Sequence, residues 1–393
     1  MIVCDVCPRR CRLDEGQVGF CNVRKNVNGE NIDSLYGLFY PYPEENNRVA
    51  PGSYTIVFPG CNLKCWFCFC PFVSSQFNGN VSEWPGGAYR KLAPVEVVEK
   101  VKKNAGPERD GFRCGMMGLF GGEPSLHYEY ILESARACRE AGCVSKMQTN
   151  GYISEDILRR ILDVLDIISI NVKASGSPSV YQRLGADSDV VFRNLEQSWK
   201  TPNVRTVVRD LVGPNELPSR DDDRRFSRWL REHVSPSIPI FIERAYQPKN
   251  YFPDQSCESY LPPIGVGEED GFMSYVRCRW VGLHLTENGL ENVQTLDPRL
   301  APPLVRQIPR VNLEETSEAV ADYGGPKDLT VARIKFAEYE FVQEHAHYGD
   351  PYGQLILPQE IELALRYGIA PENVLNIHPR IYKSLLEQTV VTG

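Results

Sequence analysis

Tyr54-Thr55-Ile56-Val57-Phe58-Pro59-Gly60-Cys61-Asn62-Leu63-Lys64-Cys65-Trp66-Phe67-Cys68 decides the fold of this 393-residue chain. The β-branched and aromatic run Tyr54–Phe58 reads as a strand. Pro59-Gly60 then turns the chain into three cysteines spaced C-x₃-C-x₂-C. Three thiolates so placed can take three corners of an iron–sulfur cube, in which every iron wants tetrahedral coordination. The fourth iron keeps an open position, and an open position on a metal is where a small molecule can react. The same spacing also suits three buried thiols, or a zinc site completed by a distant ligand. The order of the motifs downstream separates these readings.

Beyond Phe58 the chain alternates short apolar runs with amphipathic stretches. Strands are predicted at Met116–Phe120, Val144–Thr149, Ile167–Val172, Val204–Leu211 and Ile238–Arg244. Helices are predicted at Pro94–Asn104, Leu126–Ala141, Glu155–Val164, Phe192–Trp199 and Asp222–His233. Six strands alternating with helices imply βαβ units, a parallel sheet and right-handed crossovers, so the fold class is α/β. In α/β barrels the chemistry sits at the carboxyl ends of the strands.

Four motifs fall at those ends. Gly121-Gly122-Glu123-Pro124 follows the second strand; its glycines let backbone approach a ligand, and Glu123 carries a charge suited to an ammonium group. Lys146-Met147-Gln148-Thr149-Asn150-Gly151 ends the third strand. The fourth carries Asn171 and Lys173, which strand alternation points to one face. The fifth, with Arg209, runs into the turn Gly213-Pro214-Asn215.

In this order the motifs resemble the radical S-adenosylmethionine (SAM) superfamily, over roughly residues 54–245. The TNG segment is similar to that of its pyruvate formate-lyase activating enzyme branch. The resemblance implies a partial (β/α)₆ barrel, with Cys61, Cys65 and Cys68 as catalytic ligands of a [4Fe–4S] cluster that reductively cleaves SAM to a 5′-deoxyadenosyl radical. It implies that Gly121, Gly122, Glu123 and Pro124 hold the methionine amine, and that Phe67 lies against adenine. Gln148, Asn150, Asn171, Lys173 and Arg209 then become the remaining cofactor-binding candidates. Asn171 stands where the branch carries an acid, which leaves its role open.

A second cysteine cluster precedes the barrel. Cys4, Cys7, Cys11 and Cys21 are spaced C-x₂-C-x₃-C-x₉-C in a loop-rich segment, residues 1–45, with too few apolar residues to fold without a staple. Four thiolates close a tetrahedral site, so this reads as a metal centre without an open position: an auxiliary [4Fe–4S] cluster, a single iron or zinc. The segment resembles the N-terminus of radical SAM proteins related to glycyl-radical activases. Cys70, Cys114, Cys138, Cys143, Cys257 and Cys278 read as ordinary buried thiols.

The barrel is expected over residues 46–250. A Pro-rich connector with a hairpin at Phe272–Leu296, turning at Glu287-Asn288-Gly289, is expected within residues 251–310. A helical region, residues 311–393, is expected to bind substrate or a further cofactor. Resemblance to radical SAM peptidyl C-methyltransferases of methanogenic archaea, which modify methyl-coenzyme M reductase, suggests cobalamin there. His345, His347 and Tyr348 are its nearest candidate contacts, and no Asp-x-His-x-x-Gly fingerprint accompanies them.

Composition bounds the partners. A charge of −8 argues against a broad nucleic-acid surface. No run of about 18 apolar residues suggests a membrane span, and no secretory signal is evident, so a cytoplasmic protein is expected. Thirteen cysteines, an odd number in a large chain, do not form a disulfide framework. The expected activity is modification of a carbon in a protein or peptide, by C-methylation or otherwise, with an electron donor such as ferredoxin or flavodoxin. A glycyl-radical activase is the alternative; an RNA-modifying enzyme and a non-catalytic electron-transfer protein stand behind it.

Overall fold

The computed structural model describes residues 1–41, 53–68, 73–74, 90–104, 116–212, 218–244, 281–282, 284–291 and 293–295. Its centre is a parallel sheet of β1 (Ser53–Phe58), β2 (Met116–Gly121), β3 (Val144–Thr149), β4 (Ile167–Lys173), β5 (Arg205–Val212), β6 (Ile240–Arg244) and β7 (Val293–Thr295), paired in chain order. Leu38–Pro41 adds to β1 antiparallel, and Arg90–Lys91 adds to that strand in turn. Sequential neighbours joined by helices are what the βαβ reading requires.

The crossovers are α1 (Pro94–Asn104), α2 (Tyr128–Glu140), α3 (Glu155–Leu162), α4 (Pro178–Arg183), α5 (Ser188–Lys200) and α6 (Arg220–His233). Their apolar positions recur at helical spacing, as in Val97, Val98 and Val101 of α1 or Ile157, Leu158, Ile161 and Leu162 of α3. Ser219 and Asp222 form a capping box that starts α6. These faces bury Ile56, Met117, Met147, Ile168, Ile170, Val208 and Ile240 from one side of the sheet in a single core.

The other side of the sheet is chemically different. Register places Thr55 beside Gly118 and Gly118 beside Lys146, Gln148 beside Ser169, and Asn171 beside Arg209. A buried face this polar is not needed for packing, and the site lies at its upper end.

The N-terminal segment packs on the barrel as a small lobe with its own apolar cluster of Cys4, Val6, Leu13, Cys21, Val23 and Leu126. Arg24, 1% exposed, anchors it, donating to both carboxylate oxygens of Glu129 on α2 at 2.7 and 2.8 Å and to the carbonyls of Leu126 and Asn31. His127 shares a hydrogen bond of 2.8 Å with Asp33 across the same seam.

One expectation is corrected. Within Phe272–Leu296 the described residues 281–282 and 284–287 are helical, and Val293–Thr295 pairs parallel to β6. Gly289, at φ +90°, ends the helix, with the Leu290 N–H reaching back to the Leu285 carbonyl. Glu287-Asn288-Gly289 is therefore a helix stop and not a hairpin turn; both uses demand the left-handed conformation that glycine supplies. Val281, Leu285 and Leu290 join the main core, which is what holds the segment there. The expected region 311–393, including His345, His347 and Tyr348, and also Cys70, Cys114, Cys257, Cys278 and the Gly213-Pro214-Asn215 turn, lie outside the described residues. Cys138 and Cys143 are buried, as expected of them. No described helix is long and apolar enough to cross a membrane.

Candidate active site

The loop after β1 bends at Gly60, whose φ is +79°. A Cβ there would stand 2.6 Å from the Cys21 carbonyl oxygen, so only glycine lets this loop lie against the N-terminal lobe. Gly122 packs on Gly60 in the same way: a Cβ on Gly122 would meet the Gly60 carbonyl oxygen at 1.9 Å. The loop and the end of β2 are thus pressed together, and a cleft opens above them.

That cleft is lined by Cys61, Cys65, Phe67 and Cys68, by Gly121 and Gly122, by Gln148 and Asn150, and by Asn171 and Lys173. It contains about 570 Å³ not filled by atoms, counting space open to solvent. The ends of β2, β3 and β4 and the cysteine loop therefore converge, although 112 positions separate Cys61 from Lys173 (173 − 61). Ser74, which no sequence signal marks, also lines the cleft, with its Oγ 2.9 Å from the Cys68 Sγ.

Three predicted contacts, Glu123, Pro124 and Arg209, do not line the cleft. Glu123 is wholly buried beneath the cleft, and its carboxylate accepts from the Ser125 N–H (3.0 Å), the Thr149 hydroxyl (2.7 Å) and the Asn150 N–H (2.7 Å). It organises the end of β3 and is not among the residues that line the cleft. Pro124, next to it, begins a buried 3₁₀ turn. Arg209 lies deeper in the polar interior, its Nε donating to Ser169 Oγ at 3.2 Å and its guanidinium over the Phe241 ring. None of the three is among the residues lining the cleft.

The donors and acceptors of the cleft are specific. Among the described residues Gln148 Oε1 and Asn171 Oδ1 are buried without a hydrogen-bond partner. A buried amide oxygen costs about 1–3 kcal/mol if it stays unpaired, so this pair is matched to a ligand with hydroxyl or ammonium hydrogens. Burial pushes the Cys65 thiol up to about 12, with the Lys173 ammonium acting in the opposite direction. Cys61 is shifted upward too, first by burial and then by Cys65 and by Glu123. Thiols in such a place ionise only against a bound cation, so the trio fits a metal cluster and has little to offer as free thiolates.

In the N-terminal lobe each of the four cysteines comes within electrostatic reach of at least two others. Two of their sulfurs are supplied with donors: Asn31 Nδ2 to Cys4 at 3.4 Å and the Arg24 N–H to Cys21 at 3.5 Å. Burial raises the Cys7 thiol to about 12. Among the described residues no three Cys, His, Asp or Glu side chains close on one point as ligands of a single ion would.

Comparison with known proteins agrees with this geometry. Residues 55–216 match the radical SAM superfamily model. The chain carries a radical SAM domain. It is 25% identical over 280 residues to an uncharacterised protein of Methanocaldococcus jannaschii, covering 67% of this chain and 74% of that one. To the pyruvate formate-lyase 1-activating enzyme of Escherichia coli K12 it is 21% identical over 204 residues, covering 51% of this chain and 77% of the enzyme. Streptococcus suis SuiB, in its structure bound to S-adenosylmethionine, aligns with 65% of this chain and 53% of its own length, at 14% identity and a TM-score of 0.44. The chain thus spans about half of SuiB. The chain is an enzyme with a radical SAM domain and activase-like relatives, and that domain implies a [4Fe–4S] cluster and SAM.

Proposed function

We propose that this radical SAM enzyme cleaves SAM reductively at Cys61, Cys65 and Cys68 and uses the product to modify a carbon of a protein or peptide. The observation that carries the reading is the cleft itself, where three thiols meet two unpartnered amide oxygens. The cluster and SAM, when bound, supply one-electron cleavage of the sulfonium bond to a 5′-deoxyadenosyl radical.

The chain's own residues provide the rest. Cys61, Cys65 and Cys68 would hold three irons and leave the fourth open. Gly121 and Gly122 bring backbone to the cleft wall. Gln148 Oε1 and Asn171 Oδ1 would accept from the ammonium or ribose hydroxyls, and Lys173 offers its ammonium to a carboxylate. Glu123 fixes the Thr149–Asn150 turn from below. Phe67, 4% exposed, closes the apolar side of the cleft.

A macromolecular substrate is supported by the activity printed for the relatives, which activate pyruvate formate-lyase. The same observation favours the second reading, that this protein installs a glycyl radical on a partner. Cys4, Cys7, Cys11 and Cys21 would hold an auxiliary centre.

The test is anaerobic reconstitution followed by iron and sulfide counts and product analysis with SAM and dithionite. 5′-Deoxyadenosine is expected from the parent and none from the variant carrying Cys61→Ala, Cys65→Ala and Cys68→Ala. Equal cleavage by both would overturn the site. S-adenosylhomocysteine together with a corrinoid spectrum would identify cobalamin-dependent C-methylation. A doublet radical signal on a partner protein would identify an activase.

A further inference from the structure

We propose that Ser175 is a positioning residue: clamped between Asp210 and Asp223, it pins a left-handed turn directly after β4 and so aims Lys173 into the cleft. This rests on the reading above that Lys173 offers its ammonium to a carboxylate bound there. Lys173 is the last residue of β4 and lines the cleft. The strand is held on one side only at this point. Ile167–Ile170 pair with both β3 and β5, whereas Asn171–Lys173 pair with β5 alone among the described strands. The chain then takes three left-handed residues in a row, Ala174, Ser175 and Gly176, with φ of +48°, +49° and +68°. Residues other than glycine visit that region singly and at a cost, so two of them together persist only where their surroundings dictate it.

The surroundings do dictate it. The Ser175 N–H donates to Asp210 Oδ1 at 2.8 Å, and the hydroxyl lies 2.8 Å from Asp210 Oδ2 and 2.6 Å from Asp223 Oδ1. All three residues are wholly buried. Asp223 is itself fixed, its other oxygen standing 2.7 Å from His284 Nδ1. On either side of Ser175, the Lys173 N–H donates to the Tyr181 hydroxyl at 3.3 Å, and the Gly176 carbonyl accepts from the Arg225 guanidinium. The Ser177 N–H closes the turn on the Ala174 carbonyl at 2.9 Å.

Packing alone does not ask for two carboxyls here. Burying them costs folding free energy unless their oxygens are satisfied, and apolar side chains could fill the same space without that demand. What the arrangement supplies is direction. Side chains alternate faces along a strand, so Lys173 shares the cleft face with Asn171 only while its own backbone stays extended. Its φ of −112° and ψ of 120° are those of a strand. Were Ser175 to relax out of the left-handed region, the turn would rotate beneath Lys173 and its side chain would start from a different direction. A lysine loses much rotamer freedom when it is fixed on a ligand, so a fixed starting point is the order that the fold can supply in advance.

The test is a double-mutant cycle between Ser175 and Lys173 on the full chain. Equilibrium dialysis reads SAM binding to the iron-loaded protein. The rate at which trace acetic anhydride acetylates Lys173 reads the placement of its amine, and needs neither SAM nor iron. Ser175→Ala removes only the hydroxyl. It is expected to raise the Kd for SAM roughly three- to tenfold, the effect of about one hydrogen bond. It should also speed acetylation of Lys173 while the other lysines keep their parent rates. In a Lys173→Met background the same change is expected to leave the Kd within about twofold, because residues that act through one another are not additive. An equal loss in both backgrounds makes Ser175 merely structural and overturns the proposal, as does an unchanged Kd or acetylation no faster than the parent's in Ser175→Ala. If Lys173→Met binds SAM as tightly as the parent, Lys173 has no ligand to be aimed at and the proposal falls. If Ser175→Ala does not fold, Ser175→Gly, which takes the left-handed backbone without steric cost, is read in the same way. Failure of both to fold makes Ser175 a folding residue and also overturns it. Formation of 5′-deoxyadenosine by the parent reports separately on the proposed function, which stands or falls on that product alone.

Discussion

Asn171 shows how much one side chain can say about a ligand. Its Oδ1 is buried, lines the cleft and has no partner among the described residues, while its neighbours on β4 pair in the ordinary parallel ladder. An orphaned buried acceptor costs folding free energy and is instead available to a bound molecule. Asn171→Ala is therefore expected to leave the denaturant midpoint unchanged or to raise it. It should weaken SAM binding by one hydrogen bond, about 0.5–1.5 kcal/mol or up to roughly tenfold, measured by equilibrium dialysis on the loaded protein. Glu123 makes the opposite case. It is fully buried away from the cleft lining, and three donors around it fix the β3 turn.

At the scale of elements, the junction between the N-terminal lobe and α2 depends on Arg24. Its guanidinium is buried, forms a two-pronged pair with Glu129 and also caps two carbonyls. Removing one partner of such a pair leaves an uncompensated charge, which costs about 3–5 kcal/mol when both groups are buried. The Glu129 side chain is 32% exposed, so water can partly replace it. Glu129→Ala should destabilise the protein by about 3 kcal/mol, the lower end of that range, in denaturant titration. The loosened lobe should also lose iron from Cys4, Cys7, Cys11 and Cys21 before the barrel centre does. Unchanged stability and full iron retention would show that the lobe is held by its apolar cluster alone.

Across the whole molecule, a buried polar chain ties the segment that precedes β7 to the barrel. The Ser175 hydroxyl lies 2.8 Å from Asp210 Oδ2 on β5 and 2.6 Å from Asp223 Oδ1 on α6. His284 Nδ1 is 2.7 Å from the other oxygen of Asp223. A hydroxyl has a single hydrogen, so one carboxyl must bring its own proton. Burial, helped by the Asp223 charge, raises Asp210 from its ordinary 3.8 to about 7, which marks it as the protonated partner. The folded state then binds a proton that the unfolded chain has released, and stability falls as pH rises from about 4 to about 7. Asp210→Asn keeps a donor toward Ser175 and cannot ionise. Its stability should fall less steeply over that pH window, and equal slopes in thermal unfolding would contradict the assignment.

The sequence by itself determined the local facts. Cysteine spacing, the alternation of strand and helix, and glycines at strand ends are short-range patterns, and every predicted barrel strand and helix is found with small shifts of its ends. Cys61, Cys65, Cys68, Gln148, Asn150, Asn171 and Lys173 were legible because each sits at a strand end or in the loop just after one. Only the tertiary structure decided which polar groups meet. Arg24 finds Glu129 across 105 positions, and Asn62 finds Asn150 across 88. Such pairs leave no periodic trace, since a hydrogen bond requires only that two groups arrive within about 3 Å. The same holds for Val293–Thr295, whose place beside β6 depends on a free strand edge and an apolar surface. The spacing of the cysteines pointed to iron; folding then joined the N-terminal lobe to the cysteine loop through Arg9, whose Nε donates to the Asn62 carbonyl.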